Sequence, residues 1–197
     1  MVESTRLSAT QLRALLAQKA ARENHPEVYL MREYYPLTSD YRLPVPISIP
    51  HHRLEFVSVE HYYKYYQYNA TRFTLENFQF QQACLSNISA VELRREERRM
   101  RRYLVCEFPE NGTQLYEYMY TGHLHKYLHN PDLAALLLST GHRPLVAPSF
   151  AFDSAGDPWA DKYWEILYND DLQLVGGQNI IGKILMHIRN QLRDFAR

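Results

Sequence analysis

With 197 residues, 46% of them hydrophobic and 22% charged, the chain has the make-up of an ordinary globular domain with one hydrophobic core. Its 22 Lys and Arg balance 22 Asp and Glu. Bulk charge therefore gives no case for a general nucleic-acid or membrane binder, and an anionic ligand has to be held by local features. The two cysteines, Cys84 and Cys106, lack a CxxC spacing and supply neither a zinc ligand set nor a disulfide framework. No apolar run approaches the roughly 18 residues of a membrane span. A cytoplasmic protein with reduced thiols and no membrane contact is the expectation.

In chain order, Ser8-Ala9-Thr10-Gln11 has the spacing of a capping box, and Leu12, Leu15, Leu16 and Ala20 share one face of a helix that ends before Pro26. Tyr34 to Pro50 is rich in Pro and Tyr and reads as an extended wrap or edge segment, because Leu43-Pro44-Val45-Pro46-Ile47 is too proline-broken for a central strand. Leu54 to Val57 predicts a short strand. Ser58 then caps a helix from Val59 to about Asn69, with Glu60 in its first turn. The interleaved Glu and Arg of Arg94 to Tyr103 predict another helix, and such a charge run reads as a solvated face.

Tyr116, Met119, Tyr120, Leu124, Tyr127 and Leu128 recur at helical spacing, and Asn130-Pro131 opens a further helix with Leu133, Leu136 and Leu137 inward, stopped by Gly141. Together these predict an αα-hairpin. Leu172 to Val175 predicts a strand, followed by Gly176-Gly177-Gln178-Asn179 and a last helix burying Ile181, Ile184, Leu185, Ile188, Leu192 and Phe195. Nine histidines are present, but His123 and His125 diverge on a helix and no HExxH occurs, so no metal site is read. P-loop, GxSxG and GxGxxG motifs are likewise missing.

Two stretches, Ser58-Val59-Glu60-His61-Tyr62-Tyr63 and the run from Gly177-Gln178-Asn179 through Gly182 to Leu185-Met186-His187-Ile188-Arg189, resemble the NADAR family. Lys126-Tyr127, Leu136-Leu137, Ser139-Thr140-Gly141 and Leu145-Val146 follow between them in the family's order. Asp161-Lys162-Tyr163-Trp164 is similar to the family's Asp-x-x-Trp-Gly, with Glu165 where glycine is usual, and Asp157-Pro158-Trp159 is a poorer rival placement. Coverage runs from Leu54 to Leu192, weakly from Ala70 to Leu115. Family members usually carry Gln four and Lys seven residues after the glutamate, whereas here Lys64 and Gln67 occupy those places. Since i+4 and i+7 share a helical face with i, an ammonium group is expected near Glu60, one turn closer.

The resemblance implies a single α+β domain, mainly helical with a few short strands. Residues 1–53, an amphipathic helix and a Pro/Tyr-rich extended segment, would pack on a NADAR-like domain of residues 54–197. It also implies a hydrolase that cleaves the N-glycosidic bond of an ADP-ribose-like substrate, in a cleft between the Glu60 and Asn179 helices, without cofactor or metal. An ADP-ribosylated guanine base in nucleic acid is the preferred substrate. The alternatives are phosphorylated riboflavin-pathway intermediates, a non-catalytic ADP-ribose or nucleotide binder, and an interaction protein that binds no nucleotide.

Breaking that bond builds positive charge on the sugar, which a carboxylate stabilises. Glu60 is the carboxylate the resemblance nominates. Its first-turn position argues for an ionised base or electrostatic stabiliser rather than an acid. Asp161 would hold ribose hydroxyls or water, or else serve as a turn residue. Tyr63 and Trp164 could stack on a base, Trp164 alternatively being a core anchor. Gly177 and Asn179 lie ahead of a helix N-terminus where a phosphate could approach, with an ordinary turn and cap as the rival reading. Lys64 belongs to the same binding set. Lys126, and with it Arg189, would neutralise a diphosphate or simply end an amphipathic face.

Overall fold

The computed structural model describes residues 18, 27–30, 32–69, 74–106, 108, 112–150, 164–168 and 174–195. The leading helix read over residues 8–20 lies outside the described residues apart from helical Gln18, and Asp161 lies outside them altogether. Six described helices outweigh short strands, so the fold is α+β and mainly helical. No described helix is long and apolar enough to cross a membrane. The chain forms two compact units, residues 39–137 and residues 1–38 with 138–197.

In the first unit, β2 (Ile47–Ile49) pairs antiparallel with β3 (Leu54–Phe56), Ile47 facing Phe56. The expected extended segment is thus partly a two-stranded ribbon. Its beginning, before this unit, is instead a 3-10 helix over Arg32–Leu37 that passes through Pro36. Helix α1 (Val59–Gln67) follows β3 directly, with Ser58 as N-cap in extended conformation and its Oγ accepting the His61 N–H. Helices α2 (Leu75–Leu85) and α3 (Ala90–Met100) come next, and α2 was not foreseen. α3 starts four residues earlier than the charge run suggests, because Ser89 and Glu92 form a full capping box.

Helix α4 (Thr113–His129) is the long partner of α1. The two approach closely at Gly122, where a Cβ would come within 2.9 Å of the Tyr62 ring and 3.0 Å of a Val59 methyl. The expected αα-hairpin does not form. Asn130 alone separates α4 from α5 (Pro131–Ser139), and one residue is too short a connection to fold a helix back along its predecessor. Asn130 instead clamps the segment before β2: its Oδ1 accepts the Val45 N–H at 2.8 Å, and its Nδ2 donates to Val45 O and Lys126 O. Phe56, Val59, Phe80, Cys84, Leu93, Leu115 and Tyr127 are buried in this unit.

In the second unit, β1 (Val28–Tyr29) pairs parallel with β4 (Leu145–Val146), while β5 (Pro148–Phe150), β6 (Ile166–Tyr168) and β7 (Leu174–Gly177) form a mixed three-stranded sheet. Helix α6 (Ile180–Phe195) packs on β4 and buries Ile181, Ile184, Leu185 and Ile188. Leu192 is only half-buried, and Phe195 is exposed rather than inward as expected.

Gly122 offers a direct test of how α1 is held. Replacing it with Leu should lower stability by about 1–3 kcal/mol through overpacking against Tyr62 and Val59, read from urea unfolding. An unchanged midpoint would mean that α1 and α4 do not depend on that close approach.

Candidate active site

Glu60 is the second residue of α1, and its carboxylate is pulled under the surface, with the residue 8% exposed. Its backbone N–H donates to Ser39 O at 2.9 Å. Arg94 of α3 donates through Nη1 to Glu60 Oε2 at 2.7 Å, and its Nη2 lies 3.4 Å from Asp40 Oδ2. Burial pushes the Glu60 carboxyl up to about 7; Arg94 and Lys64 pull it down, and Asp40 and Glu97 push it further up. This corrects the expectation of a firmly ionised first-turn carboxylate. The helix terminus has little to offer, since the Glu60 N–H is taken by Ser39 and the His61 N–H by Ser58, and desolvation outweighs the remaining dipole.

Lys64 acts on Glu60 through its charge but makes its ion pair elsewhere. Its Nζ pairs with Glu97 Oε1 at 2.8 Å, an oxygen that also accepts the Tyr68 hydroxyl at 2.6 Å, and it sits 5.5 Å from the Tyr63 ring centre. The cation in direct contact with Glu60 is Arg94, from another helix. Gln67, where the family usually has lysine, is buried with Oε1 lacking a hydrogen-bond partner among the described residues. Tyr63 is buried too, at 4% exposure.

Lys126 is no solvated end of a helix face. It is completely buried on α4, its ammonium 5.6 Å from the Tyr41 ring centre and 5.5 Å from that of Tyr127. Burial brings it down to about 7, partly offset by the charge of Asp40. One turn earlier, His123 Nε2 lies 3.0 Å from Ser39 Oγ, and burial with the neighbouring Lys126 charge keeps its ring neutral. His61, bonded through Nδ1 to Ser58 Oγ at 2.8 Å, is held down to about 4 by burial.

Three consecutive residues gather these groups. The Ser39 carbonyl takes the Glu60 N–H, the Ser39 hydroxyl meets His123, the Asp40 carboxylate meets Arg94, and the Tyr41 ring faces Lys126. Sequence reasoning missed Ser39, Asp40 and Arg94, the last because it sits inside a charge run. A signal was available: Arg94 and Glu97 are spaced i, i+3, and Glu60 and Lys64 i, i+4, which matches opposite charges across two helices.

The remaining residues belong to the other unit. Trp164 is 4% exposed, the placement of a core anchor, and its carbonyl accepts the Ile181 N–H. Gly177 has φ of +105°, and a Cβ there would collide with the Glu165 carbonyl. Asn179, at φ +54°, accepts the Lys183 N–H through its carbonyl as a cap does, while its side chain accepts from Ala147 N at 3.0 Å and donates to Leu145 O at 2.8 Å. Arg189 is buried rather than solvated, bracing the turn after α5 through Nη1 to Thr140 Oγ1 and Arg143 O, both at 2.8 Å.

Comparison with known proteins gives one family: the model of the NADAR domain matches residues 21–193. Among solved structures, the NMR structure of the E. coli protein YbiA is similar, with a TM-score of 0.58 at 18% identity over 86% of this chain and 86% of that one. At that identity the likeness speaks to the fold. No curated protein sequence matches.

The raised Glu60 carboxyl fixes the sign of a stability effect. A carboxyl near 7 when folded and near 4.5 when unfolded binds more protons in the folded state, so its contribution to stability is lost as pH rises from 4.5 to 7. Glu60→Gln removes that loss. The stability of the variant relative to wild type should increase across this window in denaturant titrations, and a constant difference would contradict the burial argument.

Proposed function

Because the chain belongs to the NADAR family, we propose that it is an N-glycosidase that hydrolyses the bond between ribose and base in an ADP-ribose-like substrate, with ADP-ribosylated guanine preferred. The observation that carries this reading is a buried carboxyl, Glu60, held near 7 beside Arg94 and Asp40. A group poised near neutrality can both take and return a proton during turnover.

In the proposed reaction, ionised Glu60 faces the anomeric carbon as positive charge develops on the sugar, and it accepts a proton from the attacking water. The water oxygen bonds to the anomeric carbon, and the bond to the base nitrogen breaks with its electron pair on nitrogen. The proton then passes from Glu60 to the departing base. Buried Lys126 lies on the Asp40 side of this cluster and would add positive charge for a diphosphate in its protonated form. Tyr63 and Lys64, on the same helix as Glu60, complete the proposed substrate set of this unit.

Glu60→Gln keeps the shape of the side chain and removes its charge. Turnover of guanine-ADP-ribosylated DNA, followed as free ADP-ribose by chromatography, should fall by about 10²–10⁴-fold, while ADP-ribose affinity by calorimetry stays within about threefold. Undiminished turnover would sink the mechanism. Binding without release by the wild-type protein would favour a sequestering protein or another N-glycoside.

A further inference from the structure

We propose that Arg94 and Asp40 are the charge-setting pair of this site: one guanidinium is shared between Glu60 and Asp40, and that sharing decides whether Glu60 carries a proton when substrate arrives. The last clause rests on the glycosidase reading; the sharing itself does not.

The geometry is unequal in an informative way. The contact to Glu60 is short, 2.7 Å, and the contact to Asp40 is 3.4 Å. Side-chain exposure falls from 40% at Arg94 to 25% at Asp40 and 10% at Glu60. The cation is therefore the outermost of the three and the acid the innermost. Charge facing Glu60 comes from every side of its setting: Arg94 and Glu97 on α3, Lys64 on α1, and Asp40 from the turn that the neutral His123 and the buried Lys126 of α4 also approach. His61, next to Glu60 on α1, is neutral at physiological pH.

Two cations and two anions thus act on one buried carboxyl, in opposite directions. In such a balance a single charge change tips the result, and its direction depends on which partner is removed. Loss of the Arg94 charge removes the strongest attraction for the ionised form. Loss of the Asp40 charge removes a repulsion and one competitor for the Arg94 guanidinium. A purely structural role for either residue predicts no such opposition of sign.

The test is a carbon-13 NMR titration of the Glu60 side-chain carboxyl in the full-length, ligand-free protein, the resonance being assigned by its loss in Glu60→Gln. The wild-type midpoint should lie about 7. Arg94→Gln should move it upward by about one pH unit or more, Asp40→Asn should move it downward, and Arg94→Lys should return it toward wild type. Midpoints that stay put, or that move the same way in Arg94→Gln and Asp40→Asn, would overturn the proposal. Should circular dichroism show Arg94→Gln unfolded, Asp40→Asn still decides, an unmoved or raised midpoint overturning it. Since no substrate is involved, opposite shifts in a protein that releases no ADP-ribose would uphold the charge-setting pair and remove the glycosidase reading alone.

Discussion

A carboxyl group carried into a protein interior either finds compensating charge or keeps its proton, and the first unit of this chain is organised around that constraint at Glu60. Arg94 supplies the partial compensation from α3, Asp40 and Glu97 take some of it away, and the carboxyl comes to rest near neutrality. Lys126 sits under the reciprocal constraint on α4, a cation lowered toward the same value by burial. Such groups are costly to keep for stability alone. Their meeting around Ser39 to Tyr41 is what gives the site chemical interest.

The rest of the unit holds these groups in place. The Ser58 cap fixes where α1 starts, and so which residue occupies its buried second position. Gly122 lets α4 come close to α1, and Asn130 ties the end of α4 to the chain before β2. Asn77 does similar work elsewhere, bonding the backbone of Tyr68 and Val105 from within the core. In the second unit, Asn179 bonds the backbone of Leu145 and Ala147 and starts α6, which explains on packing grounds why an asparagine serves there.

Where apolar residues kept a helical period, the sequence could be read: α1, α4 and α6 lie close to where Ser58, Tyr116 to Leu128 and Ile181 to Ile188 indicated. α2 was hidden because its buried face is Asn77, Phe80, Gln81 and Cys84, with polar residues in half of the core positions. α3 was read as a helix but as a solvated face, because Glu97 stands between Leu93 and Met100 on its inward side. Glu60 was legible through the family motif. Arg94 and Asp40 were not, because they reach Glu60 only through tertiary packing, 34 residues along the chain for Arg94. The state of the carboxyl was misjudged for a related reason: a first-turn position is visible in a sequence, and the depth of burial is not.

The central claim is that a carboxyl poised by burial does proton chemistry at neutral pH, and the pH dependence of kcat/KM for release of ADP-ribose from guanine-ADP-ribosylated DNA tests it most directly. Activity in the wild-type protein should rise with pH through a limb near 7, as Glu60 reaches the ionised form that accepts the proton of water. A profile that is flat from about pH 5.5 to 8.5, or an absence of release at every pH, would contradict the account.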